Sequence, residues 1–452
     1  MKTPLTLTMS RDASLSGAPA KLIATIKKQL TLPNPKYQDA VKYGRWVGKN
    51  LKRNLIFYAI RDKKLHFPRG FANQAVNLCI KHGGKPEIID KRRQLEPEEF
   101  LFSGTLRPYQ EKAVTDITRR QFGVLEAGTG SGKTVMALAV AARRQQPTLI
   151  LVHTKELLYQ WADKIQEFMD IDDPGLIGDG HFNLRPMTIA IINSAKKHLD
   201  ELPDHFGQII VDECHRCPST MFTDVVKEFD CYYSLGLSAT PYRRDNLTKL
   251  IYWYLGDPAH RVDAQDIHST GAVLRPEISR RETGFTYRYR DDYSTMLTAL
   301  TWDEARNRQI VDDIVTEVGQ ISGTILVVSD RVAHCQTLAE MLDERQIKAA
   351  LLTGRTPAPE RSRIVAEARE EKLNVLISTI QLVGEGFDCH GLHTVFLTTP
   401  IKFSARLLQV IGRIMRPAPG KKPKVIDYVD SQVGVLARAA RAREETYEGL
   451  RG

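Results

Sequence analysis

The stretch Ala127-Gly128-Thr129-Gly130-Ser131-Gly132-Lys133-Thr134 follows an apolar run, Phe122 to Leu125, and precedes a helical pattern, Val135 to Ala142. A strand, a glycine loop and a helix N-terminus in this order form a site for the β- and γ-phosphates of a nucleotide. The glycines let successive N–H groups face inward, Lys133 reaches the terminal phosphates, and the Thr134 hydroxyl is suited to ligate magnesium. Ala127 stands where the general pattern has its first glycine. The stretch predicts an α/β fold that binds ATP with Mg²⁺, with an ordinary glycine-rich turn as the alternative.

A carboxylate pair follows farther along the chain. The apolar run Gln208 to Val211 predicts a buried strand that carries Asp212-Glu213-Cys214-His215 at its C-terminal end, where open parallel sheets bind their ligands. Asp212 is then placed to hold the magnesium, usually through water, and Glu213 to orient or deprotonate the attacking water. For an isolated Asp-Glu pair a capped turn is the alternative, but a preceding phosphate loop favours the catalytic interpretation.

Six motifs occur in a fixed order: Leu106-Arg107-Pro108-Tyr109-Gln110, the loop from Ala127 to Thr134, Asp212 to His215, Ser238-Ala239-Thr240-Pro241, Ser378-Thr379 with Gly384-Glu385-Gly386-Phe387-Asp388, and Gln409-Val410-Ile411-Gly412-Arg413-Ile414-Met415-Arg416. This series resembles the motifs of superfamily-2 helicases. The Asp-Glu box ends in Cys-His, and the last motif has the form Gln-x-x-Gly-Arg-x-x-Arg. Both features are similar to the DExH branch that contains XPB and the phage recombination helicase UvsW, rather than to DEAD-box RNA helicases.

The resemblance implies a full set of site residues. The catalytic set is Lys133, Asp212, Glu213, Gln409, Arg413 and Arg416, with Ser238 to Thr240 linking hydrolysis to domain movement. Contacts to adenine, ribose and phosphates are implied for Arg107, Gln110, the loop from Ala127 to Thr134, Gly386 and Asp388. Arg413 and Arg416 are spaced i, i+3, which predicts a shared helix face, and an arginine finger contributes about 10³ to 10⁵ in rate. A solvated basic helix face is the alternative.

Apolar runs alternate with helical patterns in two successive stretches of the chain. This pattern predicts two tandem RecA-like, doubly wound parallel-sheet domains, preceded by a small basic α+β domain. The expected boundaries are 1–104 for the basic domain, 105–258 and 259–432 for the two RecA-like domains, and 433–452 for a short basic C-terminal helix or tail. A nucleotide is expected in the cleft between the two halves, held by the first and completed by the second.

Positive charge is concentrated at the N-terminus. Residues 1–104 contain thirteen Lys and seven Arg against eight acidic residues, an excess of twelve, whereas the remainder carries a net charge of −2. Within this segment cations alternate with aromatic residues at Lys42, Tyr43, Arg45, Trp46, Lys49, Lys52 and Arg53. This arrangement predicts phosphate contacts combined with stacking on exposed bases. The alternative is a solvated surface in which Tyr43 and Trp46 belong to the core.

A second group of candidate nucleic-acid contacts follows the predicted strands of the two halves. Short hydroxyl groups and backbone N–H groups at strand ends suit phosphate contacts, which carry no sequence information. A helix cap is the alternative for any one of them. The candidates are Thr154, Lys155, Ser194, Arg331, Thr353, Gly354 and Thr379.

The overall composition is that of a globular protein, with 42% hydrophobic and 26% charged residues among 452. No apolar signal core or membrane-length apolar run is present, so a cytoplasmic location without membrane contact is expected. Cys214-x-x-Cys217 has the spacing of a zinc half-site, but no second pair completes four ligands. Magnesium carried by ATP is therefore the expected metal.

These observations together predict an ATP- and Mg²⁺-dependent DNA helicase or translocase that acts as a monomeric motor. The expected partners are duplex, forked or branched DNA, with single-stranded DNA as a further partner, in repair or recombination. Two alternatives stay open. An RNA-dependent ATPase or helicase would be stimulated equally by RNA and DNA. An ATP-switched binding subunit of a repair or defence complex would bind tightly without strand displacement.

Overall fold

A computed structural model of the protein describes residues 4–451, apart from positions 43, 45, 49, 83, 216–218, 240–246, 272, 291, 322, 385–390 and 402–403. The chain divides into two compact units. The first contains residues 1–128 and 132–262, and the second contains residues 263–452 together with 129–131. The basic N-terminal segment, residues 1–104, therefore lies in the same unit as the first RecA-like domain.

The N-terminal segment is a mixed sheet with three helices. Its strands are β1 (Thr6–Met9), β2 (Asp12–Ser16), β3 (Thr31–Pro33), β4 (Asn54–Ile56), β5 (Ala59–Arg61), β6 (Lys64–Pro68) and β7 (Glu87–Asp90), and its helices are α1 (Ala20–Gln29), α2 (Pro35–Lys42) and α3 (Ala72–His82). The main sheet has the order β5-β6-β2-β1-β7, and β3 pairs with β4. Asp62 and Lys63 have φ of 48° and 60°, which closes the β5–β6 hairpin.

The N-terminal segment shares a hydrophobic core with the first RecA-like domain. Phe71 and Trp253 pack edge to face, with ring centroids 6.3 Å apart, and Phe57 packs on the same indole at 5.4 Å. The buried Arg69 guanidinium donates through Nη1 to the carbonyls of Phe229 at 2.8 Å and Cys231 at 2.9 Å. Because apolar burial and buried hydrogen bonds both cross this junction, the segment is a fixed part of the first unit.

The first RecA-like domain is an eight-stranded sheet in the order β11-β10-β12-β9-β13-β14-β8-β15. Its strands are β8 (Phe122–Glu126), β9 (Thr148–Val152), β10 (Gly175–Gly178), β11 (His181–Phe182), β12 (Met187–Ile191), β13 (Gln208–Val211), β14 (Tyr233–Ser238) and β15 (Pro258–Arg261). Its helices are α4 (Pro108–Thr118), α5 (Lys133–Arg144), α6 (Lys155–Met169), α7 (Ile192–Ala195), α8 (Ser219–Val226) and α9 (Lys249–Leu255). All neighbouring strands are parallel except β10 and β11. The central strands β9 and β13 are buried throughout, which explains their continuous apolar sequences.

The second unit is a six-stranded, fully parallel sheet in the order β16-β21-β20-β17-β19-β18. Its strands are β16 (Glu277–Glu282), β17 (Thr324–Ser329), β18 (Ala349–Leu352), β19 (Val375–Thr379), β20 (Leu392–Leu397) and β21 (Lys424–Val429). Its helices are α10 (Ala264–Ser269), α11 (Tyr293–Trp302), α12 (Glu304–Val318), α13 (Val332–Asp343), α14 (Ala358–Arg369), α15 (Ile380–Gly384), α16 (Ser404–Ile414) and α17 (Gly434–Arg451). The predicted pair of parallel-sheet α/β domains is confirmed.

The C-terminal helix, α17, lies within the segment 433–452 for which a helix or tail was expected, and it is packed against its own unit. α17 spans 18 residues, and the Tyr447 side chain is fully buried. Arg443 Nε and the Tyr447 hydroxyl both donate to Asp427 Oδ2, each at 2.9 Å. Arg443 thus neutralises a buried carboxylate within β21, whereas Arg438 and Arg441 on the same helix are exposed.

Candidate active site

The glycine loop joins β8 to α5 and is anchored at both ends. Its first N–H, on Ala127, donates to the Ser238 carbonyl at 2.9 Å, which ties the loop to the end of β14. Gly130 and Gly132 have φ of 82° and 80°, in the left-handed region that glycine adopts without steric cost. A Cβ at Gly132 would also collide with Gln110 Nε2. The glycines are therefore required by both backbone conformation and close packing.

The Lys133 ammonium lies inside the curve of the loop. Its Nζ donates to the carbonyls of Ala127 at 3.0 Å and Gly128 at 3.3 Å, and Thr134 follows on the first turn of α5. An ammonium group has three donors in all, and these can turn toward the terminal phosphates of a nucleotide. The predicted position of Lys133 and Thr134 at the helix N-terminus is what an anion site of this type needs.

Gln110 is held against the loop by its own helix. The Arg107 backbone N–H, just before α4, donates to Gln110 Oε1 at 2.9 Å, and the Gln110 side chain is buried. This hydrogen bond fixes the amide so that Nε2 faces Gly132. The family resemblance implies Gln110 as a nucleotide contact, but its contact with the loop joins separate elements and cannot be read from the sequence.

Asp212 follows β13 and is buried. Its Oδ2 accepts a hydrogen bond from Trp161 Nε1 at 2.9 Å, and its Oδ1 accepts one from the Glu213 backbone N–H at 2.8 Å. Burial raises the pKa of Asp212, and the neighbouring Glu213 carboxylate raises it further, while the indole N–H and the Lys133 ammonium oppose the shift. Trp161 lies on α6 and was not predicted as a site residue. Its position in an amphipathic helix is equally typical of a core residue.

Glu213 has a φ of 44°, which is unusual for a residue with a side chain. The His153 ring, at the end of β9, donates through Nε2 to the Glu213 carbonyl at 3.2 Å. On the side-chain face, His215 Nδ1 lies 3.3 Å from Glu213 Oε2 and 3.0 Å from Ser238 Oγ. A strained backbone conformation of this kind costs about 1–3 kcal/mol of folding free energy. It persists where the surrounding hydrogen bonds fix the residue in place. One network therefore connects the Asp-Glu box, Ser238 and the start of the phosphate loop.

The predicted arginine motif lies in the second unit. α16 carries Gln409, which is buried, and Arg413, whose Nε donates to the Val383 carbonyl at 3.2 Å. The helix ends at Ile414, so the prediction that Arg413 and Arg416 share one helix face is wrong. Pro417 follows Arg416 and disfavours helical backbone at that residue.

Arg416 keeps its charge in this setting. Burial, together with the Arg369 guanidinium, lowers the pKa of Arg416 to about 10, which still leaves it protonated at neutral pH. Two further residues implied by the family resemblance, Gly386 and Asp388, lie outside the described residues, as does Thr240.

The candidate nucleic-acid contacts in the RecA-like domains do not all face solvent. Thr154 caps α6 by accepting from the Leu157 N–H at 3.3 Å, Lys155 is half-buried, and Ser194 lies within α7. Thr353 is buried and accepts from the Arg355 N–H at 3.2 Å.

Other candidates in the second unit stay nearer the surface. Arg331 Nη2 donates to Ser294 Oγ at 2.9 Å, Gly354 is exposed, and Thr379 ends β19 half-buried. Thr154 is therefore a helix cap, as the alternative interpretation proposed for these candidates. A helix cap of this kind does not exclude a contact with nucleic acid as well.

Trp46, one of the aromatic residues proposed to stack on bases, is on the surface. Trp46 is 87% exposed, and Lys42, Lys52 and Arg53 are exposed as well. The alternative that placed Trp46 in the core is thus wrong. Tyr43, Arg45 and Lys49 lie outside the described residues.

The described part of the chain contains neither a cluster of metal-ligating side chains nor a helix of membrane-spanning type. No group of three or more His, Cys, Asp or Glu residues there is arranged to hold a metal ion. Cys214 is buried, and Cys217 is outside the described residues. No described helix combines the length and apolarity needed to cross a bilayer. For Mg²⁺ the oxygen donors of Thr134 and Asp212 have suitable chemistry, since hard divalent cations prefer oxygen.

Family comparisons agree with this geometry. Residues 103–243 match the family model of the type III restriction enzyme res subunit, and residues 307–418 match that of the helicase conserved C-terminal domain. Among solved structures, S. cerevisiae Dbp5 bound to RNA and ADP BeF3 is similar, with a TM-score of 0.55 and 15% identity. The similarity covers 76% of this chain and 92% of that one, and it shows the fold.

Three curated relatives cover most of the chain. "Putative ATP-dependent RNA helicase L396" of Acanthamoeba polyphaga mimivirus is 28% identical over 81% of this chain and 72% of its own. "DNA 3'-5' translocase XPB2" of Sulfurisphaera tokodaii is 25% identical over 75% and 84%, and "ATP-dependent DNA helicase uvsW" of Enterobacteria phage T4 is 22% identical over 91% and 86%. The chain is an ATP-hydrolysing superfamily-2 helicase of the group that contains XPB and UvsW.

Proposed function

We propose that this helicase acts on DNA, and that it uses ATP and Mg²⁺ to translocate on and remodel duplex or branched DNA such as forks and junctions. The observation that carries the proposal is the basic N-terminal segment, whose excess of twelve positive charges is part of the same unit as β8 and α5, the strand and helix that flank the phosphate loop. Phosphate neutralisation by Lys and Arg supplies most sequence-independent affinity for nucleic acid.

The ATP site supports specific roles for its residues. Lys133 neutralises the terminal phosphates, while Thr134 and Asp212 would hold Mg²⁺, which offsets charge on the β- and γ-phosphates when bound. Glu213 orients the attacking water and takes its proton. Its position is set by the contacts of its carbonyl with His153 and of its carboxylate with His215.

Gln409, Arg413 and Arg416 are proposed to complete the transition-state site. Guanidinium groups stabilise the charge that builds on the γ-phosphoryl oxygens. Arg107, Gln110, Gly386 and Asp388 remain proposed contacts to the nucleotide. The shared network of Ser238, His215 and Glu213 gives a route by which the state of the phosphate site reaches the end of β14.

The N-terminal segment supports a second DNA-binding surface. Trp46 offers an exposed indole for stacking on an unpaired base, and Lys42, Lys52 and Arg53 offer charges for the adjacent phosphates. Arg45 belongs to the same proposed surface by sequence. Because the segment shares its core with the first RecA-like domain, DNA held there is held in place relative to the phosphate loop.

The test is an ATPase assay of the full chain with single-stranded, duplex, forked and four-way DNA and with RNA. We expect DNA with a junction to stimulate hydrolysis most, and Lys133→Ala to abolish turnover on every substrate. A strand-displacement assay on the same forks distinguishes a motor from an ATP-switched binding subunit. Tight ATP-dependent binding without displacement would overturn the remodelling proposal.

RNA is the second candidate substrate, because one curated relative carries an RNA helicase name. Phosphate contacts and base stacking do not by themselves separate the two nucleic acids, whereas contacts to the 2′-hydroxyl do. Equal stimulation by RNA and DNA of the same length and structure would favour this candidate.

A further inference from the structure

A cleft of about 240 Å³ lies where the N-terminal segment meets the first RecA-like domain. The segment supplies most of its wall: Arg11 and Asp12 at the start of β2, residues 56–59 with Arg61 before and within β5, and the end of β6 with Arg69. The RecA-like domain supplies Val226, Lys227 and Tyr254. The cleft is separate from the phosphate loop, and no described residue of the six helicase motifs lines it.

Two buried nitrogen atoms on residues that line this cleft have no hydrogen-bond partner in the described structure. Arg69 is only 4% exposed, and its Nη1 is used by two carbonyls, but Nη2 makes no hydrogen bond. His66 Nδ1 lies 3.0 Å from Asp12 Oδ2, and its buried Nε2 makes none. Buried polar atoms in folded proteins are nearly always paired, so two such atoms around one cleft indicate a polar ligand.

The charge of the cleft indicates that this ligand is an anion. Arg11, Arg61, Arg69 and Lys227 line it, against Asp12 as the one lining carboxylate among the described residues. Asp12 accepts from His66 Nδ1, so His66 Nε2 is an acceptor in the neutral ring and donates to an anion only in the imidazolium form.

Arg61 is the cation of this set best placed to accept a new partner. Arg11 and Lys227 already lie near Glu228, at 3.5 Å and 3.9 Å. Arg61 is exposed on β5 and makes no ion pair with any described residue. Guanidinium groups suit phosphate oxygens because their planar donors match two oxygens at once.

We propose that this cleft binds a phosphate group, with Arg61, Arg69 Nη2 and the Nε2 of a protonated His66 ring as its donors. Its volume admits a phosphate with its sugar, and the rings of Phe57 and Tyr58 supply apolar wall. The source of the phosphate is a DNA strand gripped beside the first RecA-like domain, or a free nucleotide or phosphate ion. The DNA source rests on the proposed function, whereas the free-ligand source does not.

The test uses the full chain with Arg61→Ala and His66→Phe, which keep Arg69 and its anchoring bonds intact. The matched control is Lys85→Ala, which removes one exposed charge next to β7, at the opposite edge of the same sheet. Duplex binding is measured as a function of salt. Loss of one phosphate contact should reduce the slope of log K against log[salt] by about 0.9, and Lys85→Ala should leave it unchanged.

A second arm titrates inorganic phosphate and a nucleoside monophosphate into the Lys133→Ala protein, with and without Arg61→Ala, and follows the melting temperature. If phosphate or the nucleotide raises the melting temperature and Arg61→Ala removes that rise, the ligand is a free phosphate or nucleotide. If the melting temperature does not respond but the cleft variants change the slope of log K against log[salt], the ligand is DNA. Unchanged slopes and unchanged melting in both cleft variants would overturn the site. If the wild-type protein binds no DNA, the proposed function fails, and the second arm alone decides the cleft.

Discussion

Replacing Trp161 by phenylalanine tests the hydrogen bond on which the position of Asp212 depends. The indole Nε1 donates to Asp212 Oδ2 at 2.9 Å, and the two side chains are 1% and 7% exposed. Phenylalanine keeps an aromatic ring on α6 but removes the donor. The buried carboxylate then loses one of the two hydrogen bonds described for it.

The size of the effect expected for Trp161→Phe follows from the burial of both the Trp161 and the Asp212 side chains. A hydrogen bond to a charged group contributes about 1.5–3 kcal/mol, and an orphaned buried acceptor loses that contribution in full. Because 1.4 kcal/mol corresponds to a factor of ten, ATP turnover or its Mg²⁺ dependence should worsen about 10–100-fold, as found for partners of metal-ligating residues. The indole bond also lowers the pKa of Asp212, so its loss should move the acid limb of the pH–rate profile to higher pH.

The assay is DNA-stimulated ATP hydrolysis measured against Mg²⁺ concentration and pH. Trp253→Phe is the matched control, because it removes the same atoms from a buried tryptophan at the junction with the N-terminal segment. We expect that control to lower thermal stability and to keep the Mg²⁺ dependence of the wild-type protein. A folded Trp161→Phe protein with wild-type turnover, Mg²⁺ dependence and pH profile would refute the reasoning.

Four further outcomes are expected. Glu213→Gln should lower kcat about 10²–10⁴-fold with nucleotide binding retained, as measured by equilibrium binding, and near-normal turnover would remove it as the base. Arg413→Ala should lower kcat by about 10³-fold or more in the presence of DNA, and an unchanged kcat would mean that it is not a finger. Burial lowers the pKa of His334 to about 3, so the unfolded chain takes a proton near pH 6.5 while the native ring stays neutral. Stability should therefore fall as pH drops from about 6.5 toward 3, by about 2 kcal/mol at pH 5, and His334→Gln should flatten this dependence of the urea midpoint. Arg443→Met should destabilise the second unit by about 3–5 kcal/mol because Asp427 is left as an unpaired buried charge, and an unchanged melting temperature would contradict that role.

The shared core between the N-terminal segment and the first RecA-like domain limits how DNA binding by the segment can be tested. A chain starting near Gly104 would lose the partners of Leu250 and Trp253 in the shared core. Exposure of that apolar surface would weaken the remaining domain for reasons unrelated to DNA. Point substitutions at Lys42, Trp46 or Arg61 avoid this difficulty, since these side chains lie at the surface.

The sequence by itself determined the class of fold and the position of the phosphate site. Strand, loop and helix are contiguous at Ala127 to Thr134, and a buried parallel strand reads as an unbroken apolar run, as at Gln208 to Val211. Contiguous patterns of this kind need no long-range information, because period and turn chemistry are local properties. The end of α16 before Arg416 was also readable, since Pro417 stands next to it.

Only the tertiary structure decided which distant residues meet at the site. Trp161 and Asp212 lie on separate elements and are brought together because α6 packs against β9 and β12, and β9 pairs with β13, the strand that leads to the carboxylate. Nothing local distinguishes that tryptophan from a core residue, just as nothing local shows that Trp46 is exposed. Arg69 likewise reads as one cation among twenty in the basic segment, yet it is buried and holds the segment in place. Burial and pairing depend on what the rest of the chain packs against a residue, and that is settled only when the elements assemble.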